Sequence, residues 1–295
     1  MSIHVVTGKG GVGKTTCASA LALALAARGE RVLLAEVNGG DRISALLGAD
    51  PVGPDMREVQ ERLHLVDMNP RAAIREYALL TFRFESVYSA VFENRFVKHF
   101  LRLVPSLSEL VMLGKIWFHY QEGRDTGRPR FDRIVIDAPA TGHAISMLRA
   151  PRVVERTVPP GPLRDNARNI AKVLQSSGHI HIVTTPEEMP VNEARELERA
   201  AADLIGIKVG TTFINRRLTP LSETALSALE SDERCRALAA GLKRRQHKWS
   251  LGEEQLQRLP AGMLRDSVSF PRLVIPKLDA EALRALSERV SAEPM

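Results

Sequence analysis

Residues 3–27 read IHVVTGKGGVGKTTCASALALALAA, and the glycine-rich segment in the middle of this stretch decides the fold. The run before the glycines is rich in β-branched residues and predicts a strand. The alanine- and leucine-rich run after them predicts a helix that stops at Gly29. A strand, a glycine loop and a helix in this order predict the first unit of an α/β protein.

The spacing Gly8-x4-Gly13-Lys14-Thr15 matches the P-loop pattern. In such loops the backbone N–H groups cradle phosphates, the lysine reaches the terminal phosphates and the hydroxyl holds magnesium. The sequence therefore predicts ATP and Mg²⁺ as cofactors, a catalytic Lys14 and a metal-binding Thr15. The residues predicted to contact the nucleotide here are Gly8, Lys9, Gly10, Gly11, Val12, Gly13, Lys14, Thr15 and Thr16.

A dinucleotide-binding loop is the main rival interpretation of the same glycines. Gly8, Gly10 and Gly13 also satisfy Gly-x-Gly-x-x-Gly, and Glu36 ends the second predicted strand, where a dinucleotide fold places its ribose-binding acid. A lysine and a threonine directly after the last glycine suit a triphosphate with Mg²⁺ and have no role in binding a pyrophosphate. The triphosphate interpretation is therefore favoured.

Further buried strands alternate with helical patterns along most of the chain. This alternation predicts a doubly wound, mostly parallel sheet covered by helices on both faces, the α/β fold of P-loop NTPases. The predicted core comprises residues 1–69 and 128–295, and residues 70–127, which show helical spacing without a strand signal, are predicted to form a helical insertion. Residues 242–260 are interpreted as an irregular region. The further strands are predicted at 32–36, 63–68, 134–137, 180–184, 209–215 and 273–275.

Composition excludes several classes of protein. The 41 Lys and Arg residues against 35 Asp and Glu give a charge of +6, a mild excess that does not predict a nucleic-acid partner. The two cysteines, Cys17 and Cys235, exclude a disulfide framework and a four-thiolate zinc site. No apolar run is long enough to span a bilayer and no signal peptide is recognisable. These features together predict a cytoplasmic protein without a transmembrane segment.

Two strand ends carry candidate site residues. The apolar run at 134–137 ends in Asp137, the form expected of the acid that orders the Mg²⁺ shell. Asn215 ends another predicted strand, where it is either a turn residue or an amide that pairs with the edge of adenine.

Two motifs resemble one family of P-loop ATPases. Lys9 directly after the first glycine resembles the deviant P-loop of the arsenite-pump and tail-anchored-protein-targeting ATPases. The sequence Asp-Ala-Pro-Ala-Thr-Gly-His at 137–143 resembles switch II of the same family. The resemblance implies a dimer in which Lys9 reaches the partner's nucleotide. It also implies that Gly142 and His143 couple nucleotide state to the insertion and that Asn215 and Pro276 bind adenine.

The sequence departs from this family in the switch I segment. Asn38-Gly39-Gly40-Asp41 stands where the family usually has Asp-Pro-Ala-His, and a carboxamide cannot accept a proton as a general base does. Glu36 or Asp41 substitutes, hydrolysis is slow, or a different subunit completes the reaction, so the dimer is predicted to be a homodimer or a heterodimer with a paralogue. Lys9, Lys14, Glu36, Asn38 and Asp137 are the predicted catalytic set.

The predicted insertion carries an aromatic series and an apolar run. The series spirals around a helix, which is interpreted either as core packing or as an apolar groove. The resemblance implies that such an insertion holds a hydrophobic helical client, including a membrane protein. The basic stretch 243–248 is interpreted as a solvated face or as a surface for anionic lipid. The aromatic residues of the series are Phe84, Tyr88, Phe92, Phe96 and Phe100.

The function that follows is a dimeric Mg²⁺-dependent ATPase whose closure on nucleotide controls client binding. The alternative is a partition- or division-site-type ATPase that acts on a scaffold or a membrane, for which a terminal amphipathic helix would be expected. Residues 280–290 form too short and too acidic a helical pattern to favour it.

Overall fold

The computed structural model describes residues 1–69, 72–73, 107–123 and 127–292, and its central feature is a sheet of eight strands. Apolar and β-branched runs form the central strands, and all seven residues of the first strand are buried. The strands are β1 (Ser2–Gly8), β2 (Val32–Val37), β3 (Arg57–Gln60), β4 (Leu63–Met68), β5 (Arg133–Asp137), β6 (Gly178–Thr184), β7 (Lys208–Arg217) and β8 (Ser267–Pro271).

The strands lie in the order β3-β4-β2-β5-β1-β6-β7-β8. Each neighbouring pair is parallel except β3 with β4. The chain winds to one side of β1 over β2 to β5 and to the other side over β6 to β8, so the doubly wound α/β fold is confirmed. In the ladders Asp137 is paired with both Val6 and Glu36, which brings the carboxyl ends of β1, β2 and β5 together at one edge of the sheet.

Helices cover both faces of the sheet. Val5 belongs to the hydrophobic cluster under α3 to α6, and Val6 belongs to the cluster under α1 and α10. Within the described ranges, none of the helices combines the length and the apolar composition needed to cross a bilayer. The helices are α1 (Lys14–Ala27), α2 (Arg42–Leu47), α3 (Leu107–Gln121), α4 (Thr141–Thr157), α5 (Pro162–Ser177), α6 (Glu188–Ala200), α7 (Glu223–Ser231), α8 (Arg236–Leu256), α9 (Ala261–Arg265) and α10 (Ala280–Ser291).

The prediction of a strand at 273–275 is wrong. The last strand is β8, which pairs with β7 through Thr212 and Ser267, and the apolar triplet follows it as an exposed loop in which Val274 is 95% exposed. β8 alternates serines with the buried Val268 and Phe270, the period-2 pattern of a strand with one covered face. That alternation is a weaker signal than three consecutive apolar residues.

The interpretation of 242–260 as irregular is also wrong over most of its length. This stretch lies largely in α8, a helix of 21 residues. The buried positions of α8 are Ala239, Gly252 and Leu256, so the helix buries little of its surface and its basic stretch lies on a largely exposed part of it.

Part of the predicted insertion packs directly on the core. In α3, Leu110, Met112 and Ile116 are buried in the same cluster as the sheet residue Ile3, which supports the core-packing interpretation for these side chains. Phe118 of the same helix is 43% exposed. The aromatic series at 84–100 lies outside the described residues.

Candidate functional site

The loop between β1 and α1 is built on glycines that other parts of the backbone approach closely. A Cβ on Gly8 would lie 2.1 Å from the carbonyl oxygen of Val183, and a Cβ on Gly13 would lie 2.2 Å from Nδ2 of Asn215. Gly13 also has a φ of 94°, which side-chain-bearing residues rarely adopt. The loop is thereby pressed against the ends of β6 and β7, and α1 begins directly after it at Lys14.

A cavity of about 340 Å³ opens beside the first turn of α1. Thr15 Oγ1 donates a hydrogen bond of 2.7 Å to Asp137 Oδ2, which joins α1 to the end of β5. The other carboxylate oxygen, Asp137 Oδ1, is buried and finds no partner among the described residues. Lys14 lines the same cavity. A hydroxyl and an unsatisfied carboxylate oxygen at one point are a donor set that suits Mg²⁺ and its water.

Three charged groups around this cavity have shifted pKa values. Burial raises the pKa of Asp137 to about 6, although the hydrogen bond from Thr15 and the charge of Lys14 oppose the shift. Burial also raises the pKa of Glu36 to about 7. The pKa of Lys14 is lowered by burial, against the opposing charge of Asp137. Each charge is thus costly on its own, and a bound phosphate with a divalent cation would complement all three.

A second cavity, of about 540 Å³, lies beside the first along the sheet edge. Gly13 and Thr16 line it from the P-loop, Asn215 lines it from β7 and Pro276 lines it from the loop after β8. Asn215 Nδ2 donates to the carbonyl oxygen of Val12 at 2.8 Å, and its Oδ1 accepts the backbone N–H of Arg216 at 2.9 Å. The Asn215 amide therefore braces the P-loop, and its second hydrogen and second lone pair remain for an additional contact.

Switch I forms a tight loop over Glu36. The carboxylate of Glu36 accepts the backbone N–H groups of Arg42 and Ile43 at 3.2 Å each, at the N-terminus of α2. A Cβ on Gly39 would lie 1.7 Å from Glu36 Oε1, so only glycine fits there. Asn38 is exposed, has a φ of 55° and lines the first cavity, the one beside the first turn of α1.

Asp41, the other candidate acid in switch I, has a structural role. Its Oδ1 accepts the backbone N–H groups of Val52 and Gly53 at 2.9 and 3.0 Å. The bond from Gly53 contributes most to lowering the pKa of Asp41. This carboxylate ties switch I to the segment before β3, and it is not among the residues that line the cavity.

Comparison with known proteins decides the family. The sequence model of the anion-transporting ATPases matches residues 1–175, which is more than half of the chain. The chain belongs to the anion-transporting ATPase family. This family includes the arsenite-pump ATPases that the P-loop and switch II motifs resemble, so that expectation is confirmed.

Three relatives, each from a different organism, are similar to this member of the anion-transporting ATPase family. ATPase BagA of Mycobacterium tuberculosis is 28% identical over 316 aligned residues, which cover 99% of this chain and 93% of BagA. Putative arsenical pump-driving ATPase 2 of Aquifex aeolicus is 23% identical, covering 74% of this chain and 81% of the relative. ATPase GET3 of Kluyveromyces lactis is 25% identical over 51% of this chain and 45% of its own length.

The distinctive lysine of this family member is held by its own chain. Lys9 Nζ forms an ion pair with Glu193 Oε1 of α6, and Glu193 Oε2 accepts a hydrogen bond of 3.1 Å from Thr141 Oγ1. Thr141 is the first residue of α4, and the exposed Gly142 and His143 follow it in the same turn. His143 lines the first cavity, beside the first turn of α1.

Several residues that line the two cavities of this family member were not predicted from its sequence. Arg42 and Glu109 line the first cavity, and Trp249 and Arg272 line the second. These residues come from segments far apart in the chain and form no motif. For Trp249 a signal existed, because Gly252, Glu253 and Leu256 follow at intervals of three, four and seven, the spacing of one helix face.

Proposed function

We propose that this protein is an Mg²⁺-dependent ATPase that binds ATP along the carboxyl edge of its sheet, with the phosphates at Lys14 and the base beside Asn215. The observation that carries the proposal is the pair formed by Thr15 and Asp137. Their hydrogen bond, the unpartnered Asp137 Oδ1 and the half-buried Lys14 form one cluster at the start of α1. This arrangement fits a triphosphate with its metal.

Each residue of the cluster has a separate task. The N–H groups of the P-loop and the first turn of α1 bind phosphate oxygens, and Lys14 supplies a desolvated cation to the terminal phosphates. Thr15 and Asp137 hold Mg²⁺, which when bound neutralises charge that develops on the transferred phosphoryl group. Asn215 and Pro276 contact the adenine in the second cavity.

Hydrolysis by this site is slow. Asn38 lines the cavity where the family resemblance places a general base, and its carboxamide accepts no proton. Glu36 and Asp41 both use their carboxylates to bind backbone N–H groups of the chain. Because neither is free to replace the missing base, a second subunit that retains the aspartate would raise the rate in a heterodimer.

Dimerisation and client capture complete the proposed nucleotide cycle. When ATP closes the dimer, the ion pair between Lys9 and Glu193 breaks and Lys9 contacts the nucleotide of the partner subunit. In the closed state of the dimer, residues 70–127 hold a hydrophobic helical client. The relatives named as arsenical pump-driving ATPase and as GET3 support this branch of P-loop ATPases over the partition-type alternative.

The alternative function, binding of a dinucleotide, would need an acid that is free to bind ribose, and Glu36 is not free to do so. Glu36 is 1% exposed and both of its carboxylate oxygens bind the N-terminus of α2. A thermal melt with Mg·ATP or with NAD separates the two functions, since only a true ligand raises the melting temperature. We expect Mg·ATP to raise it and NAD to leave it unchanged, and the reverse result would remove the proposal.

Light scattering with and without Mg·ATP tests the dimer separately. Lys9→Ala is expected to weaken ATP-driven dimerisation and turnover far more than the binding of ADP to the monomer. A wild-type protein that stays monomeric with ATP would contradict the dimer while leaving the ATPase proposal intact.

A further inference from the structure

The second cavity, in which the proposed function places the base, is lined by one aromatic side chain from α8. Trp249 lines this cavity together with residues contributed by the P-loop and by β7. We propose that Trp249 stacks on the nucleotide base and makes the site selective for purines. This inference rests on the proposed ATPase function and adds a specificity-determining residue to it.

The two tryptophans of the chain have different surroundings. Trp117 packs against the main hydrophobic cluster of the protein. Trp249 is partly buried, yet among the described residues it belongs to neither hydrophobic cluster. Its indole ring is therefore only partly covered by the protein where it borders the cavity, so a ligand there can cover the remainder.

The helix face that carries Trp249 is fixed in place. A Cβ on Gly252 would lie 2.9 Å from Cβ of Pro186, so α8 touches the segment after β6 at this point. One residue further along, the Glu253 carboxylate accepts hydrogen bonds of 2.9 and 2.6 Å from the Arg217 guanidinium at the end of β7. Residues three and four positions apart share a helix face, so these contacts anchor the turn from which Trp249 projects. A rigid wall loses little entropy when a ligand binds.

The chemistry of the cavity matches a purine on two sides. Asn215 presents an amide that can pair with the edge of the base, and an indole ring can cover its face. Gly13 and Thr16 connect this cavity to the P-loop, so a base here would be continuous with phosphates at Lys14. A purine has the larger face and gains more from stacking than a pyrimidine does.

The cavity also carries cations, which offer a competing explanation. Arg272, Lys277 and Lys248 line it, whereas the carboxylate of Glu253 is taken by Arg217. Additional phosphate groups could bind these cations with no contribution from the indole ring. The test must therefore separate recognition of the base from recognition of phosphate.

The experiment uses the full chain carrying Trp117→Phe, in which Trp249 is the only tryptophan, since the sequence contains two. ATP, CTP and inorganic tripolyphosphate are titrated with Mg²⁺, and both tryptophan emission and calorimetric heat are recorded. We expect ATP to change the emission and tripolyphosphate to bind without changing it. ATP should also bind several-fold more tightly than CTP.

Variants of α8 provide the decisive comparison. Trp249→Leu should raise the Kd for ATP about tenfold, equivalent to about 1.4 kcal/mol, with little change for tripolyphosphate. It should also reduce the preference for ATP over CTP, whereas Trp249→Phe should keep most of that preference. Leu251→Gln, at an exposed position of the same helix, is the matched control and should leave all three affinities unchanged.

Three results would overturn the inference. The first is wild-type ATP affinity in Trp249→Leu, and the second is unchanged emission while calorimetry records ATP binding. The third is an equal loss of ATP and tripolyphosphate affinity in Trp249→Leu, because the indole would then merely support the P-loop. If the unsubstituted chain binds neither ligand, the proposed ATPase function fails and the role of Trp249 fails with it.

Discussion

The two ends of the nucleotide cleft differ in how their side chains are held. At the phosphate end, defined by Lys14, Thr15, Glu36, Asn38 and Asp137, buried charges lie close together and the pKa values of two acids are raised. At the base end, defined by Asn215, Trp249 and Pro276, amide, aromatic and proline side chains line the cavity, and the nearby Glu253 is neutralised by Arg217. The phosphate end thus holds buried charge that a ligand must compensate, whereas Lys248, Arg272 and Lys277, which line the base end, are exposed to solvent. The base end therefore offers shape and hydrogen bonds beside charges that water already solvates.

This difference predicts that substitutions at the phosphate end change rate or affinity by orders of magnitude and that those at the base end tune affinity in smaller steps. Charge-assisted contacts in a desolvated site are stronger than neutral ones. Three substitutions test that ranking, and a fourth tests how a buried acid of the phosphate end affects the stability of the protein.

Asn38→Asp should produce the largest effect, a gain in ATP hydrolysis of 10²- to 10⁴-fold, about what a well-placed general base contributes. Aspartate tolerates the left-handed backbone of position 38, where φ is 55°, so the loop should keep its conformation. Steady-state phosphate release measures the rate. Brisk hydrolysis by the unsubstituted protein that survives both Glu36→Gln and Asp41→Asn would show that the alignment of switch I is wrong.

Lys14→Ala should weaken ATP binding on the order of 10²-fold, because the terminal phosphates lose a desolvated cation. Calorimetry with Mg·ATP measures the loss. Lys248→Ala is the matched control, since this exposed lysine lines the base end and should cost at most a few-fold. Equal losses in the two variants would erase the contrast between the ends.

Asn215→Ala should weaken ATP binding about tenfold and should weaken tripolyphosphate binding as well. The substitution removes the donor to the Val12 carbonyl oxygen, and a buried acceptor left without a partner costs about 1–3 kcal/mol. A base-end residue would then act on the phosphate end through the P-loop. Tripolyphosphate affinity that stays at the wild-type value would restrict Asn215 to the base.

Glu36→Gln should have the smallest effect, a pH-dependent change in stability. Burial raises the pKa of Glu36 from its ordinary 4.5 to about 7. Between these values the folded protein retains a proton that the unfolded chain has released, so this residue makes stability fall as pH rises from about 4.5 to about 7.

The glutamine variant cannot ionise, so without nucleotide it should be more stable than the wild type by about 1–2 kcal/mol at pH 8 and nearly equal at pH 4.5. Urea unfolding at the two pH values gives the difference. Glu58→Gln, at an exposed position of β3, should show no such trend. A stability difference that is the same at both pH values would mean that packing, and not ionisation, is responsible.

The phosphate end was largely predictable from sequence, whereas at the base end only Asn215 and Pro276 were predicted and Trp249 was not. β1, the glycine loop and α1 are consecutive in the chain, and their residue types follow from local backbone requirements such as the positive φ of Gly13. The positions of Thr15 and Asp137 also follow, because parallel strands end at one edge of the sheet. The roles predicted for these residues remain predictions.

The base end is assembled from segments that share no motif. β8 was missed because its two buried residues alternate with serines, while the apolar triplet after it resembles a strand and is exposed. α8 was missed because few of its positions are buried. The ion pair between Lys9 and Glu193 depends on how α6 packs beside β1. A local sequence pattern cannot predict that packing.

The close approach of Gly13 to Asn215 has an evolutionary consequence. A Cβ at position 13 would lie 2.2 Å from the Asn215 amide nitrogen, so a residue with a side chain at position 13 requires a change at position 215, whereas position 215 can change while Gly13 is kept. A lineage that replaces the glycine must first shorten or redirect the side chain at 215, and it then loses the brace on the Val12 carbonyl. Across diverging homologues a residue other than glycine at position 13 should therefore occur only where position 215 has also changed.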